Sequence, residues 1–85
     1  MRSKADKAPV IRRAALSLPA TLRELGFTDY EAKAYAALST KQPATAYEIA
    51  KVAGLPRANV YAALRNLEGR GAIQPVTENP VRYVL

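Results

Sequence analysis

The chain has 85 residues, with thirteen Lys and Arg against seven Asp and Glu, a net charge of +6, no Cys and no His. That length makes one small domain without room for a catalytic one; such a domain hides only about 60% of its unfolded surface, so a partner copy would add useful burial. Lacking Cys and His, it has no disulfide framework, thiolate metal site or imidazole base, so neither cofactor, metal nor enzyme activity is expected.

Charge is uneven along the chain. Residues 1–18 carry Arg2, Lys4, Lys7, Arg12 and Arg13 against Asp6 alone, which is +4 of the total +6. This start is charged where a secretory signal needs an apolar core, and no apolar run reaches membrane-spanning length. A cytoplasmic, nucleoid-associated protein with no membrane partner is expected, although an Arg- and Ala-rich start is also compatible with a transit peptide. The arm reads either as a phosphate-contacting extension or as a solvated tail. Within it Val10, Ile11, Ala14, Ala15 and Leu18 fall on one side of a helical wheel. Such a helix either pairs with its twin in a dimer or folds back on the domain. Residues 1–18 are therefore assigned as a basic arm, partly disordered or a short helix, and residues 19–85 as the folded domain.

Pro19 interrupts that first segment, and a short turn, ATLREL, runs to Gly26. Thr28-Asp-Tyr-Glu31 is a capping box: the Thr28 hydroxyl accepts from the third amide of a helix while Glu31 reaches back to the Thr28 amide. The helix it opens ends near Ser39 or Thr40. Its buried stripe is expected at Tyr30, Ala34, Ala37 and Leu38, with Lys33 and Ala36 outward. Pro43 stops any continuation, Ala44 lies in a very short strand, and Thr45-Ala-Tyr-Glu48 repeats the capping chemistry to start a helix ending at Ala53. The caps account for Glu31 and Glu48, so neither needs a catalytic role.

Ile49-Ala50, Gly54-Leu55 and Val60 then stand at the offsets of a helix-turn-helix. Ala50 is small where a second helix crosses close by, and Gly54 tolerates a left-handed turn. The late apolar position near residue 63 is Ala63, so Leu64 and Leu67 supply the bulk. Pro56 suits a helix start, and Gly69 with Gly71 suits a stop, giving a candidate recognition helix from Arg57 to about Arg70. Its core stripe is Val60, Leu64 and Leu67; Ala58, Ala62 and Arg65 lie opposite, and Asn59, Tyr61 and Asn66 on the flanks. The period then changes, and Ala72 to Val76 and Val81 to Leu85 read as a hairpin around Thr77-Glu-Asn-Pro80. The expected fold is mainly α with a small β-hairpin, a winged helix-turn-helix.

A helix-turn-helix presents its second helix to a DNA major groove, which assigns roles by position. Arg57, at the helix start, either donates two bonds to guanine or pins a phosphate. Asn59 reads adenine or is an exposed helix-start residue. Ala58 and Ala62 either let the helix sink into the groove or are plain helix formers. Tyr61 packs its ring on the hairpin, with its hydroxyl free for a phosphate, and Arg65 is the better candidate for a phosphate contact. Thr45 and Tyr47 lie at the amino end of the preceding helix, which favours an anion, although capping alone explains Thr45. Lys51 and Arg70 read as ordinary surface charges, and Tyr30, Tyr35 and Tyr83 as packing residues.

The segments LRELGFTDYEAKAYAAL (Leu22 to Leu38), Ala44-Thr45 and GLPRANVYAALRNLEGRG (Gly54 to Gly71) resemble the N-terminal winged helix-turn-helix of the TrmB family of prokaryotic, mainly archaeal, transcriptional regulators. The resemblance covers Leu22 to Leu85. It implies a DNA-binding transcription factor, usually a homodimer on double-stranded DNA and often tied to sugar metabolism. Relatives continue into a coiled coil and a sugar-sensing region, whereas this sequence stops at Leu85, so no small-molecule site is expected in it. The hairpin turn has Glu78 nearby and Val81 where relatives commonly carry a basic residue, which leaves Arg82 as the wing's phosphate contact. Three functions follow: a sequence-specific regulator, with a sequence-indifferent chromatin-like binder as its variant; a winged-helix protein-interaction module of a transcription complex; and an enzyme. Arg57 and Arg65 count against the second, and the missing His against the third.

Overall fold

The computed structural model describes residues 20–85. The basic arm and the amphipathic segment Val10 to Leu18 lie outside the described residues. The chain runs through a short helical segment α1 (described over residues 20–24), α2 (Asp29–Thr40), β1 (Ala44–Thr45), α3 (Ala46–Ala53), α4 (Arg57–Gly69), β2 (Gln74–Pro75) and β3 (Arg82–Val84).

Both expected capping boxes are formed. The Thr28 hydroxyl accepts from the Glu31 amide at 3.1 Å while the Thr28 amide donates to Glu31 Oε1 at 3.1 Å. Thr45 and Glu48 repeat the exchange at 3.1 and 2.9 Å. Each box satisfies two amides that a helix start otherwise leaves without partners. At the end of α3, Gly54 adopts the left-handed conformation (φ 69, ψ 34) and the Leu55 amide returns to the Ala50 carbonyl at 3.0 Å. That reversal turns the chain from α3 into α4. Gly71 (φ 75) does the same after α4: its amide donates to Glu68 and the Ala72 amide to Leu67, a Schellman closure.

The core sits where the three long helices meet. Leu38, Ile49, Val60, Leu64 and Leu67 are its largest fully buried side chains. The alanines Ala34, Ala37, Ala50 and Ala63 fill the spaces between them. Ala63 is thus a true core position whose small volume Leu64 and Leu67 compensate. Phe27, Tyr35, Leu55 and Tyr83 pack on the rim of this cluster, as expected for Tyr35 and Tyr83.

The buried stripe of α2 differs from expectation. Ala34, Ala37 and Leu38 are buried as expected, but Tyr30 is 43% exposed and Glu31 and Ala32 are buried in its place. From α4, Asn66 Nδ2 donates to Glu31 Oε2 at 2.9 Å. The buried group is Glu31, whose carboxylate is satisfied there by the Thr28 amide and by Asn66. Arg70 is likewise more than a surface charge: its guanidinium lies 3.8 Å from the Phe27 ring centre and 4.0 Å from Glu31 Oε1. It closes the lower end of α4 onto the loop before α2.

The strands form one antiparallel sheet in the order β1-β3-β2. Ala44 faces Tyr83 and Thr45 faces Arg82, while Gln74 faces Val84 and Pro75 faces Tyr83. Pro75 is tolerated because β2 is an edge strand. The hairpin turn is held by Thr77, whose hydroxyl donates to the Pro80 carbonyl at 2.7 Å and accepts from the Arg82 amide at 2.9 Å. Through β1 the hairpin is fastened directly to the start of α3, and this connection positions the site.

Candidate nucleic-acid interface

Ion pairing divides the cations of the domain into two groups. Arg23 and Lys33 both reach Asp29, Lys41 reaches Glu48, and Arg70 reaches Glu31. Among the described residues, Lys51, Arg57, Arg65 and Arg82 have no carboxylate partner. These four belong to α3, α4 and the wing, whereas Arg23 and Lys33 serve α1 and α2. An unpaired guanidinium or ammonium is fully available to an external anion, because no internal ion pair has to be broken first.

The exposed side of α4 carries Arg57, Ala58, Tyr61, Ala62 and Arg65, while Val60, Ala63, Leu64 and Leu67 hold the helix to the core. Asn59 is half-buried at the edge. The two alanines leave the middle of this face low, so the flanking long side chains stand above it. Helix α4 begins at Pro56 with no side-chain cap, in contrast to α2 and α3. Its first amides therefore face solvent with the positive end of the helix dipole.

Two hollows flank the α3–α4 corner. The first, about 480 Å³, is bounded by Thr45, Ala46, Tyr47, Tyr61 and the wing residues Pro80, Val81 and Tyr83. The second, about 280 Å³, is bounded by Tyr47, Ala50, Lys51, Leu55 and Arg57. Tyr47 borders both, and the Arg57 guanidinium carbon stands 5.0 Å from the centre of its ring. No carboxylate lines either hollow. Burial, followed by the charges of Glu68 and Tyr61, pushes the Tyr83 phenol up from its ordinary value, so it remains a neutral hydrogen-bond donor. Glu48 is held below the ordinary carboxylate value, first by the Thr45 amide and then by Lys41. Its charge is thus committed to the cap.

The fold brings Thr45, Tyr47 and Tyr61 together around the larger hollow, and Tyr47 and Arg57 around the smaller. Ala58, Ala62 and Arg65 continue outward along α4, Asn59 is turned partly away, and Arg82 is half-buried in β3 opposite Thr45. Lys51, expected as an ordinary surface charge, and Tyr83, expected as a packing residue, also line the hollows. Lys51 follows Tyr47 by four residues, the spacing that places two side chains on one helix face, so its position was readable. Tyr83 reaches the hollow only because β3 pairs with β1.

A helix-turn-helix with a hairpin strapped beside it defines the winged helix-turn-helix, a class of small domain that presents one helix to a DNA groove. Residues 22–85 match the family described as the sugar-specific transcriptional regulator TrmB, and the chain belongs to that family. The uncharacterized protein YrhO of Bacillus subtilis (strain 168) is 43% identical over 63 residues, 74% of this chain. The aligned stretch is only 23% of that relative's length. No solved structure gives a significant match. Among the described residues no helix is long and apolar enough to cross a membrane.

Proposed function

We propose that this chain is the sequence-reading module of a transcriptional regulator, placing α4 in the major groove of double-stranded DNA and acting as a homodimer. The observation that carries the reading is the segregation of unpaired cations: among the described residues Lys51, Arg57, Arg65 and Arg82, on α3, α4 and the wing, have no carboxylate partner, and no carboxylate lines either hollow at the α3–α4 corner. Arg57, at the uncapped start of α4, donates to a guanine edge, and Asn59 beside it contacts adenine. Ala58 and Ala62 let the helix approach thymine methyl groups. Arg65, Arg82 and the hydroxyls of Tyr47 and Tyr61 hold phosphates, and Thr45 presents the first turn of α3 to another. Two copies would read half-sites about one DNA turn, roughly 34 Å, apart.

The test is selection of bound duplexes from a random pool at two salt concentrations. An enriched inverted repeat supports the dimeric regulator. Binding without enrichment, falling steeply with salt, would make the domain a sequence-indifferent DNA binder. Absence of binding at low salt would redirect attention to a protein partner.

A further inference from the structure

We propose that Tyr47 is a specificity-determining positioning residue: its ring is the platform that aims Arg57 at one base pair. The inference rests on the reading of Arg57 as a base contact. Arg57 has no carboxylate partner among the described residues, so no ion pair orients its guanidinium. What stands next to it is the Tyr47 ring, with the guanidinium carbon 5.0 Å from the ring centre, inside the range over which an aromatic face attracts a cation. Both side chains border the same hollow, walled by Ala50 and Leu55 and shared with Lys51.

A free arginine carries several rotatable bonds, and confining it on DNA costs affinity at the moment of binding. A platform contributed by α3 removes part of that cost in advance, and it does so only for the geometry that faces one base pair. Its effect falls on discrimination between duplexes rather than on affinity for DNA in general. The Tyr47 ring and its hydroxyl are separable in this respect: the hydroxyl serves a phosphate and affects all duplexes alike, whereas the ring serves Arg57.

The test uses the full chain, the duplex it enriches from a random pool, and the same duplex changed at the base pair where Arg57→Ala abolishes preference. Tyr47→Phe is expected to keep the affinity ratio between the two duplexes, and Tyr47→Ala to lower it about two- to fivefold, the range of an exposed cation–ring contact. Combined with Arg57→Ala, Tyr47→Ala is expected to change the ratio no further. If Tyr47→Ala preserves the ratio while Arg57→Ala erases it, the platform is overturned and base reading by Arg57 stands. If Arg57→Ala erases no preference at any position, base reading by Arg57 falls and the platform with it. Should Tyr47→Ala melt below the measuring temperature, Tyr47→Leu, which retains apolar cover over Ala50 without an aromatic face, replaces it with the same expectations.

Discussion

Arg57 and Glu31 show how differently single residues act in this domain. Replacing Arg57 by Ala should weaken binding to the selected duplex by about 1–3 kcal/mol and relax preference at one base pair, measured by titration against a set of single-base variants. An equal loss on every duplex would reduce it to a phosphate contact. Glu31 instead belongs to the fold. Its carboxylate accepts from the Thr28 amide and from Asn66 Nδ2 in a nearly closed environment, so Glu31→Ala removes a cap and leaves Asn66 without its acceptor. Urea unfolding should register a loss of about 2–4 kcal/mol, and a cycle with Asn66→Ala should reveal coupling between the two helices. The cap was readable from Thr28-Asp-Tyr-Glu31, because its partners are three residues apart. Asn66, 35 residues away, was not.

At the scale of elements, turns and caps carry the fold, and they are local enough to be read from the chain. Gly54 needs a left-handed backbone, and an added Cβ there meets nothing within 4 Å. Gly54→Ala should therefore cost only the backbone strain, about 1–2 kcal/mol, seen as a lower urea midpoint at unchanged slope. The caps also set a pH dependence. Glu48 is depressed below 4.5 by the Thr45 amide and Lys41, and Asp29 below 3.8 by Lys33 and then Arg23. A depressed carboxylate stabilises the fold above its unfolded value and loses that contribution as pH falls through the folded one. Melting temperature should accordingly decline from about pH 5 to about pH 3, modestly because both groups face solvent, and Glu48→Gln should flatten part of the decline. The elements of the wing were legible from a change of period and the Thr77-Glu-Asn-Pro80 turn. The pairing of β3 with β1 was not, since a two-residue strand has no periodicity to betray its partner.

For the whole molecule, affinity is expected to follow salt. Each phosphate contact contributes a slope of about −0.9 in log affinity against log salt, so Lys51, Arg65 and Arg82, the unpaired cations other than the base-reading Arg57, set a slope of about −2.7 if all three engage phosphates. Deleting the residues before Val10 removes Arg2, Lys4 and Lys7. A slope flattened by that deletion would assign the arm to DNA, and an unchanged one would make it a solvated tail. The amino-acid sequence by itself determined the element order, both capping boxes, the left-handed turn at Gly54, the core of α4 and the family. All of these rest on contacts between residues a few positions apart, or on apolar period and turn chemistry. Only the tertiary structure decided which cations are neutralised and which remain open, that Glu31 ties α2 to α4, and that Tyr47 stands beside Arg57 at the mouth of two hollows. Those facts depend on side chains from separate elements meeting in space, where electrostatic and aromatic contacts act over a few ångströms regardless of distance along the chain.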